Sequence, residues 1–515
     1  MQRRYLLYIT LTALLLYAFY EVICIVFFKV SSGLPLDDVY IHLKYALNFA
    51  SGHIFEYNKG EPLPGSTSPL WVIMLSLFYL FSSNGILFVK ILSAAFHLLT
   101  AAVLFFLSIH IIKQVKSLEI YREKFVVLLS FFATAAFLFT GRALWAGLSG
   151  METMLFSFLL TVSIYFHLKF IEGKKIQAAE FTALGLLALT RPEGYLIFLI
   201  LFSDIILFHF INKEAKINYR KLVPGLLIFT VLALPYPVFS YFTTGSFLPT
   251  TFNAVKIRTG DYQSFNYIRI MAVYLIRDNI ITAILYFANI IFVIFNFKKY
   301  FREYSSLRIL NLIVIIFPLL SAIVFPIWRH HGRYLIPIIP ILILNSYITG
   351  LLLAGKIKKV KLRLRTSTVL GLLIIISAIP YFLIFAKHYA QNTDNINEMQ
   401  VKAGHWIKNN LKNNIRIGLN DIGAIQFIAD TKITDLSGII SPQIIKYRNL
   451  EYNEKADSIY NYLKKTDTKY LCIFDEWNSE LTGKYADRLK LIETFAIPNN
   501  ITCGSDKMLL YKILY

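Results

Sequence analysis

Eleven apolar runs set the terms for this 515-residue chain, near 5–28, 84–112, 125–141, 151–171, 177–189, 194–211, 222–242, 271–297, 309–327, 333–354 and 367–388. Most are roughly 17–25 residues long, enough for a helix to cross a hydrocarbon layer of about 30 Å. No water is available there to satisfy a bare peptide group, so such runs fold as helices with internal hydrogen bonds. Hydrophobic residues make up 56% of the chain, above the ~45–50% of soluble domains even when glycine is counted there. The fold class expected is therefore mainly α, a polytopic transmembrane helical bundle. The first run is too long for a cleaved signal core and reads as a retained anchor. The shorter run from Leu70 to Phe81 reads as an interfacial or re-entrant helix.

The formal charge is +21, but nucleic acid is not the inferred partner, because the cations sit mainly in short connections between apolar runs. With the N-terminus in the cytoplasm, the cytoplasmic connections hold 23 Lys and Arg, whereas three opposite ones hold only Arg142, Arg191, Arg329 and Arg333. This asymmetry orients the chain. It predicts a multi-pass protein of the bacterial cytoplasmic (inner) membrane, with a first outer loop at 31–83. After Lys387 the composition turns charged and Asn-rich, giving two domains, 1–390 in the membrane and 391–515 as a small extracytoplasmic α/β domain. Within the latter, EMQVKAGHWIKNNL predicts an amphipathic helix with Val401, His405 or Trp406, and Leu411 on one face. IRIGL, KYLCIF and KMLLYKIL predict strands. Cys472 and Cys503 are candidates for a disulfide if the domain is extracytoplasmic.

The stretch DDVYIHLKYALNFASGHIFEYNKGEPLPGSTSPLW, from Asp37 to Trp71, is a polar interruption between apolar runs. Its two adjacent carboxylates follow Pro35 and open a helical pattern. A helix start explains one of them as a cap; the second, at a membrane surface, needs a cation, a metal or a substrate. We take Asp37 and Asp38 as the candidate catalytic pair, with a divalent cation between them as an option and no metal site assigned. Helical spacing puts Asp37, Tyr40 or Ile41, and Lys44 on one face, and Asp38, His42 and Tyr45 on another. Lys44 either neutralises a carboxylate, snorkels to the headgroups or meets a substrate phosphate.

Three other connections on the predicted outer side carry charges a passive loop does not need. LTRPEG contains Arg191 and Glu193, which either pair with each other or hold substrate, and GRALWAGLSGMETMLF contains Arg142 and Glu152. PIWRHHGRYLIPIIP gathers Arg329, His330, His331 and Arg333 into a cationic corner suited to a phosphate or to lipid headgroups. The 243–270 loop adds Lys256 and Arg258 and reads as a lid.

These motifs, in this order, resemble the C-type (GT-C) glycosyltransferases, multi-spanning enzymes that use polyprenyl-phosphate sugars. The likeness is nearest to the branch holding the cell-wall arabinofuranosyltransferases, whose first loop typically reads DDAYISFRYARNLxxGxGxxxNPGERVEGYTxPLW. GLSGMETMLF, LTRPEGYL, YFTTGSFLPTTFNAVK, GRYLIPIIPIL and NDIGAIQFIADTKITDLSGI continue it to about residue 440. Lys44 stands where that branch usually has Arg, and KGEPLP where it has PGERVE. The resemblance implies an inverting transfer from a polyprenyl-phosphate sugar to a glycan or glycolipid acceptor on the outer membrane face. Asp37 or Asp38 would be the base. Lys44, Arg191, Glu193, Glu152, His330, His331, Arg333 and Lys256 would bind donor phosphate or substrate. Two other classes compete: a secondary transporter or lipid flippase, and a non-catalytic envelope or motility assembly factor of the same fold.

Overall fold

The computed structural model describes residues 1–173, 176–211, 222–256, 263–297, 305–412 and 415–515. Among them, six helices are long and apolar enough to cross a membrane: Gln2–Phe27, Gly85–Gln114, Thr153–Ile171, Ser306–Val324, Arg329–Gly355 and Val360–Asn410. Two bent pairs, Glu123–Leu138 with Gly141–Leu148 (65°) and Leu222–Ala233 with Pro235–Thr244 (41°), raise the number to eight if each is one span. The chain is a multi-pass membrane protein. The eleven expected runs exceed this number partly because some are short helices. Gln177–Thr190 has 14 residues, about 21 Å at 1.5 Å per residue. Ile280–Phe295, within the run 271–297, has 16 residues, and Pro69–Tyr79, outside the eleven runs, has 11. The helix expected at 398–411 extends the last long helix, and its buried face is Met399, Gln400, Ala403, Gly404 and Ile407 rather than the face through His405.

The chain divides into two compact units. The first comprises Met1–Ile23, Lys90–Leu234 and Gly260–Lys387 and is helical. Its helices are joined by buried polar groups, which satisfy one another where no water enters. Asn311 accepts from Asn289 (2.5 Å) and Asn345 (3.1 Å), tying three helices together. Deeper still, His167 lies 2.6 Å from Glu180 and 3.2 Å from Asp204, which Arg308 holds at 2.6 and 3.0 Å. Arg308 is 2% exposed and the other three are fully buried.

The second unit comprises Cys24–Val89, Pro235–Thr259 and His388–Tyr515. Its centre is a five-stranded sheet of order β2-β1-β3-β5-β4, from β1 (Arg416–Leu419), β2 (Lys432–Asp435), β3 (Thr468–Ile473), β4 (Leu489–Ala496) and β5 (Lys507–Ile513). β1 pairs parallel with β2 and β3, while β5 runs antiparallel to β3 and β4. Leu463, Leu471, Ile473 and Leu481 lie at the heart of its core, all fully buried. β2 is an edge strand, and the side chain of Asn58 covers it: Nδ2 donates to the carbonyl of Ile433 (2.9 Å) and Oδ1 accepts its N–H (3.0 Å). An amide side chain thus stands in for a neighbouring strand. Cys472 and Cys503 are both free thiols; Cys503 donates to Gln400 at 3.4 Å.

Candidate functional site

Within the second unit, Pro35 and the extended Leu36 bring the chain into the helix Asp37–Ala50, hereafter the Asp37 helix. Both carboxylates fall in its first turn, as expected. Asp37 does not cap its own helix. Its Oδ2 accepts the N–H of Gly423 (2.8 Å) and its Oδ1 that of Ala424 (2.7 Å), the first residues of the helix Gly423–Ala429, the Gly423 helix. Removal from water and the neighbouring Asp421 push the Asp37 carboxyl well above the ordinary carboxylate range, against the downward pull of the two amides. Asp421 in turn accepts from Gln400 at 2.7 Å. Asp38, one residue on and about 100° round the helix, is half-buried.

Lys44 is 1% exposed and its ammonium is paired with Asp430. It thus meets a carboxylate, one of the partners expected for it. Burial draws its pKa down, opposed by Asp430. Tyr45 and Asn48, further along the Asp37 helix, organise the loop that follows. Tyr45 Oη donates to the carbonyl of Leu63 and accepts the N–H of Gly65, both at 3.1 Å. Asn48 Nδ2 donates to the carbonyls of Glu56 and Tyr57. Ser66 Oγ sits 3.2 Å from His42 Nδ1.

In the 243–270 segment, expected as a lid, Thr250 and Thr251 are hydrogen-bonded to the loop that follows the Asp37 helix. Thr250 donates from N and Oγ1 to the carbonyl of Pro64 at 3.2 Å, and Thr251 Oγ1 to that of Gly65 at 2.5 Å. Lys256 ends the helix Thr250–Lys256; its side chain, like Arg258, lies outside the described residues. Both Asp37 oxygens face backbone N–H groups. Among the described residues no group of three or more His, Cys, Asp or Glu could hold a metal ion.

In the first unit, Arg191 and Glu193 do meet, at 2.7 Å, but Arg191 also reaches Glu152 at 3.1 Å. The expected pair is a triad of one cation and two carboxylates, every member at most 6% exposed, with the Tyr334 ring 4.6 Å from the guanidinium. The Arg333 guanidinium also lies over Tyr334, at 5.3 Å. His330, His331 and Gly332 are consecutive left-handed residues, with φ of 50°, 60° and 66°. Such backbone is costly for residues with a Cβ, and it clusters at functional turns. Arg142 holds this turn through Nη1, 3.0 Å from the carbonyl of His331, while its Nε and Nη2 clasp Asp278 at 2.5–2.9 Å. The His331 ring meets Trp145 and Phe385 edge-on, at 4.9 and 5.2 Å. Arg142 and Asp278 also line a cavity of about 350 Å³ whose remaining wall is mostly apolar, including Met271, Leu319 and Ile343. Sequence reading passed over Asp278, which ends an otherwise ordinary amphipathic helix, and over the His167 cluster.

With its apolar helices and small mixed sheet, the chain has the GT-C fold. It is similar to the crystal structure of ArnT from Cupriavidus metallidurans bound to undecaprenyl phosphate, with a TM-score of 0.59 and 12% identity over 97% of each chain. The apo state of ArnT from that organism gives a TM-score of 0.56 and 14% identity, over 94% of this chain and 93% of the other. The Archaeoglobus fulgidus oligosaccharyltransferase in complex with Zn and sulfate gives 0.55 and 14%, over 92% of this chain and 69% of the other. At these identities the likeness is one of fold. Residues 391–511 match a family model described as a domain of unknown function, DUF8728. No curated protein matches the chain.

Proposed function

We propose that the protein is an inverting glycosyltransferase that moves a sugar from a polyprenyl-phosphate donor to a cell-envelope glycan or lipid acceptor. The N-terminus would be cytoplasmic and the reaction would lie at the outer face of the cytoplasmic membrane. The observation that supports this reading is the aspartate pair that opens the Asp37 helix: Asp37 accepts the amides of Gly423 and Ala424, and we assign the base to Asp38, half-buried one residue on. Asp38 takes the proton of the acceptor hydroxyl while its oxygen attacks the anomeric carbon from the side opposite the phosphate. The bond from that carbon to the phosphate oxygen breaks, and the lipid phosphate leaves with the electron pair. One base is enough for inversion. Cations ease the departure of the phosphate. The mostly apolar cavity beside Arg142 suits part of a prenyl chain.

The test uses the full chain in vesicles with labelled polyprenyl-phosphate sugars. Wild type should transfer label to a glycan acceptor, and Asp38→Asn should lose at least about 10²-fold in kcat, the usual worth of a general base, with its melting temperature intact. Full transfer by Asp38→Asn would remove the base assignment. Movement of the lipid across the bilayer without transfer would favour a flippase.

A further inference from the structure

We propose that the C-terminal domain acts as a positioning device for the Asp37 helix, with Gly423 and Asp430 as its positioning residues. This rests on the catalytic reading of Asp38. In sheets where neighbouring parallel strands diverge in order, ligands enter the crevice beyond the carboxyl ends of the strands. Here β1 lies between β2 and β3, and the turn after β1 is filled from within the chain. Asp37 occupies the amides of Gly423 and Ala424, and Tyr57 Oη donates to the carbonyl of Ile422 at 2.6 Å. A crevice so occupied serves the Asp37 helix rather than a diffusing ligand.

The two helices match along their length. From Asp37 to Lys44 is seven residues, about 10 Å at helical rise, and the Gly423 helix itself has seven residues. An anion meets its first turn, as its dipole favours, and Lys44 pairs with Asp430 just past its last. Tyr40 and Phe427 pack between the two contacts, ring centres 5.7 Å apart. Gly423 permits the approach: a Cβ there would lie 2.1 Å from the carbonyl oxygen of Asp37 and 2.7 Å from its carboxylate. Asp430 holds its end from a left-handed cap, φ 48°. Held at two points, the Asp37 helix has one setting, and Asp38 on it has one position.

The test compares the full chain with Gly423→Ala, Asp430→Ala and Asp430→Glu in vesicles, by transfer kinetics and by hydrogen exchange of the amides of 37–44. Gly423→Ala is expected to lower kcat by about 10²-fold, the scale of an ångström-level displacement, with KM for the polyprenyl-phosphate sugar within about twofold. Asp430→Ala should lower kcat less, and Asp430→Glu should restore it. In both Ala variants the 37–44 amides should exchange faster than in wild type. Wild-type kcat and exchange in Gly423→Ala would overturn the positioning role while leaving the reaction untouched. A wild-type chain that transfers nothing, yet shows faster exchange in Gly423→Ala, would overturn the reaction and keep the clamp.

Discussion

Arg191 offers the sharpest contrast between a substrate ligand and a structural cation. Arg191→Met leaves Glu152 and Glu193, 2% and 6% exposed, with no guanidinium between them. Breaking a buried ion pair by removing one partner costs about 3–5 kcal/mol, because the charge left behind is neither solvated nor compensated. At the lower end of the ~2–4 °C per kcal/mol typical of larger domains, the melting temperature should fall by roughly 6–10 °C. That fall is measured by intrinsic fluorescence in detergent micelles. The triple variant Arg191→Met, Glu152→Gln, Glu193→Gln removes the charges together and should recover most of the loss. If Arg191→Met melts within about 1 °C of wild type and instead raises KM for the lipid donor, the guanidinium serves the substrate and the triad argument is wrong.

Other expectations can be checked alongside. Burial raises the Asp435 carboxyl from 3.8 to about 6 against the pull of the Ile440 and Ser437 amides, so the folded state binds this proton more tightly than the unfolded one. Its stabilising contribution is full below pH 4 and fades as pH rises to 6, by about 3 kcal/mol at 1.36 kcal/mol per unit; the difference in unfolding free energy between wild type and Asp435→Asn should follow that course, and a flat difference across pH 4–6 would contradict it. Asn311→Leu removes the acceptor shared by Asn289 and Asn345 and should cost about 1–2 kcal/mol, near the upper end for polar contacts between membrane helices, read as a lower melting temperature. Lys59 is exposed, so Lys59→Cys should react with an impermeant maleimide added outside intact cells; labelling only after permeabilisation would reverse the proposed topology. Cys472, fully buried, should react only on unfolding, whereas Cys503 is half-buried and should label slowly in the native protein; equal rates would show that the C-terminal domain opens.

The aspartate pair was legible because a proline followed by two carboxylates and a helical pattern marks a helix start locally. What Asp37 binds was not, because its partner amides lie 386 and 387 residues away and a backbone N–H leaves no mark in a sequence. The Arg191–Glu193 contact was readable from adjacency, whereas Glu152 joins it only through the packing of helices 39 residues apart. The His167 cluster escaped notice because single polar residues vanish in the average of an apolar window. Arg308 had been counted with the loop cations. Among the strands, β1, β3 and β5 carry apolar runs. β4 lies at an edge with mostly exposed residues, and β2, although three of its four residues are buried, reads KITD and carries no apolar run.

The position of β5 bears on the order of assembly. It is the last strand in the chain, yet it lies inside the sheet between β3 and β4. The second unit therefore joins a segment made early, 24–89, to a sheet that closes only when residues 507–513 have emerged. At about 5–20 residues per second, the carboxylate of Asp37 waits roughly 20–80 s for the amides of Gly423 and Ala424. During that interval its helix faces lipid headgroups and water without its counterpart. A nascent chain stalled before β5 would hold its spans in the membrane while the sheet beside the Asp37 helix was still open.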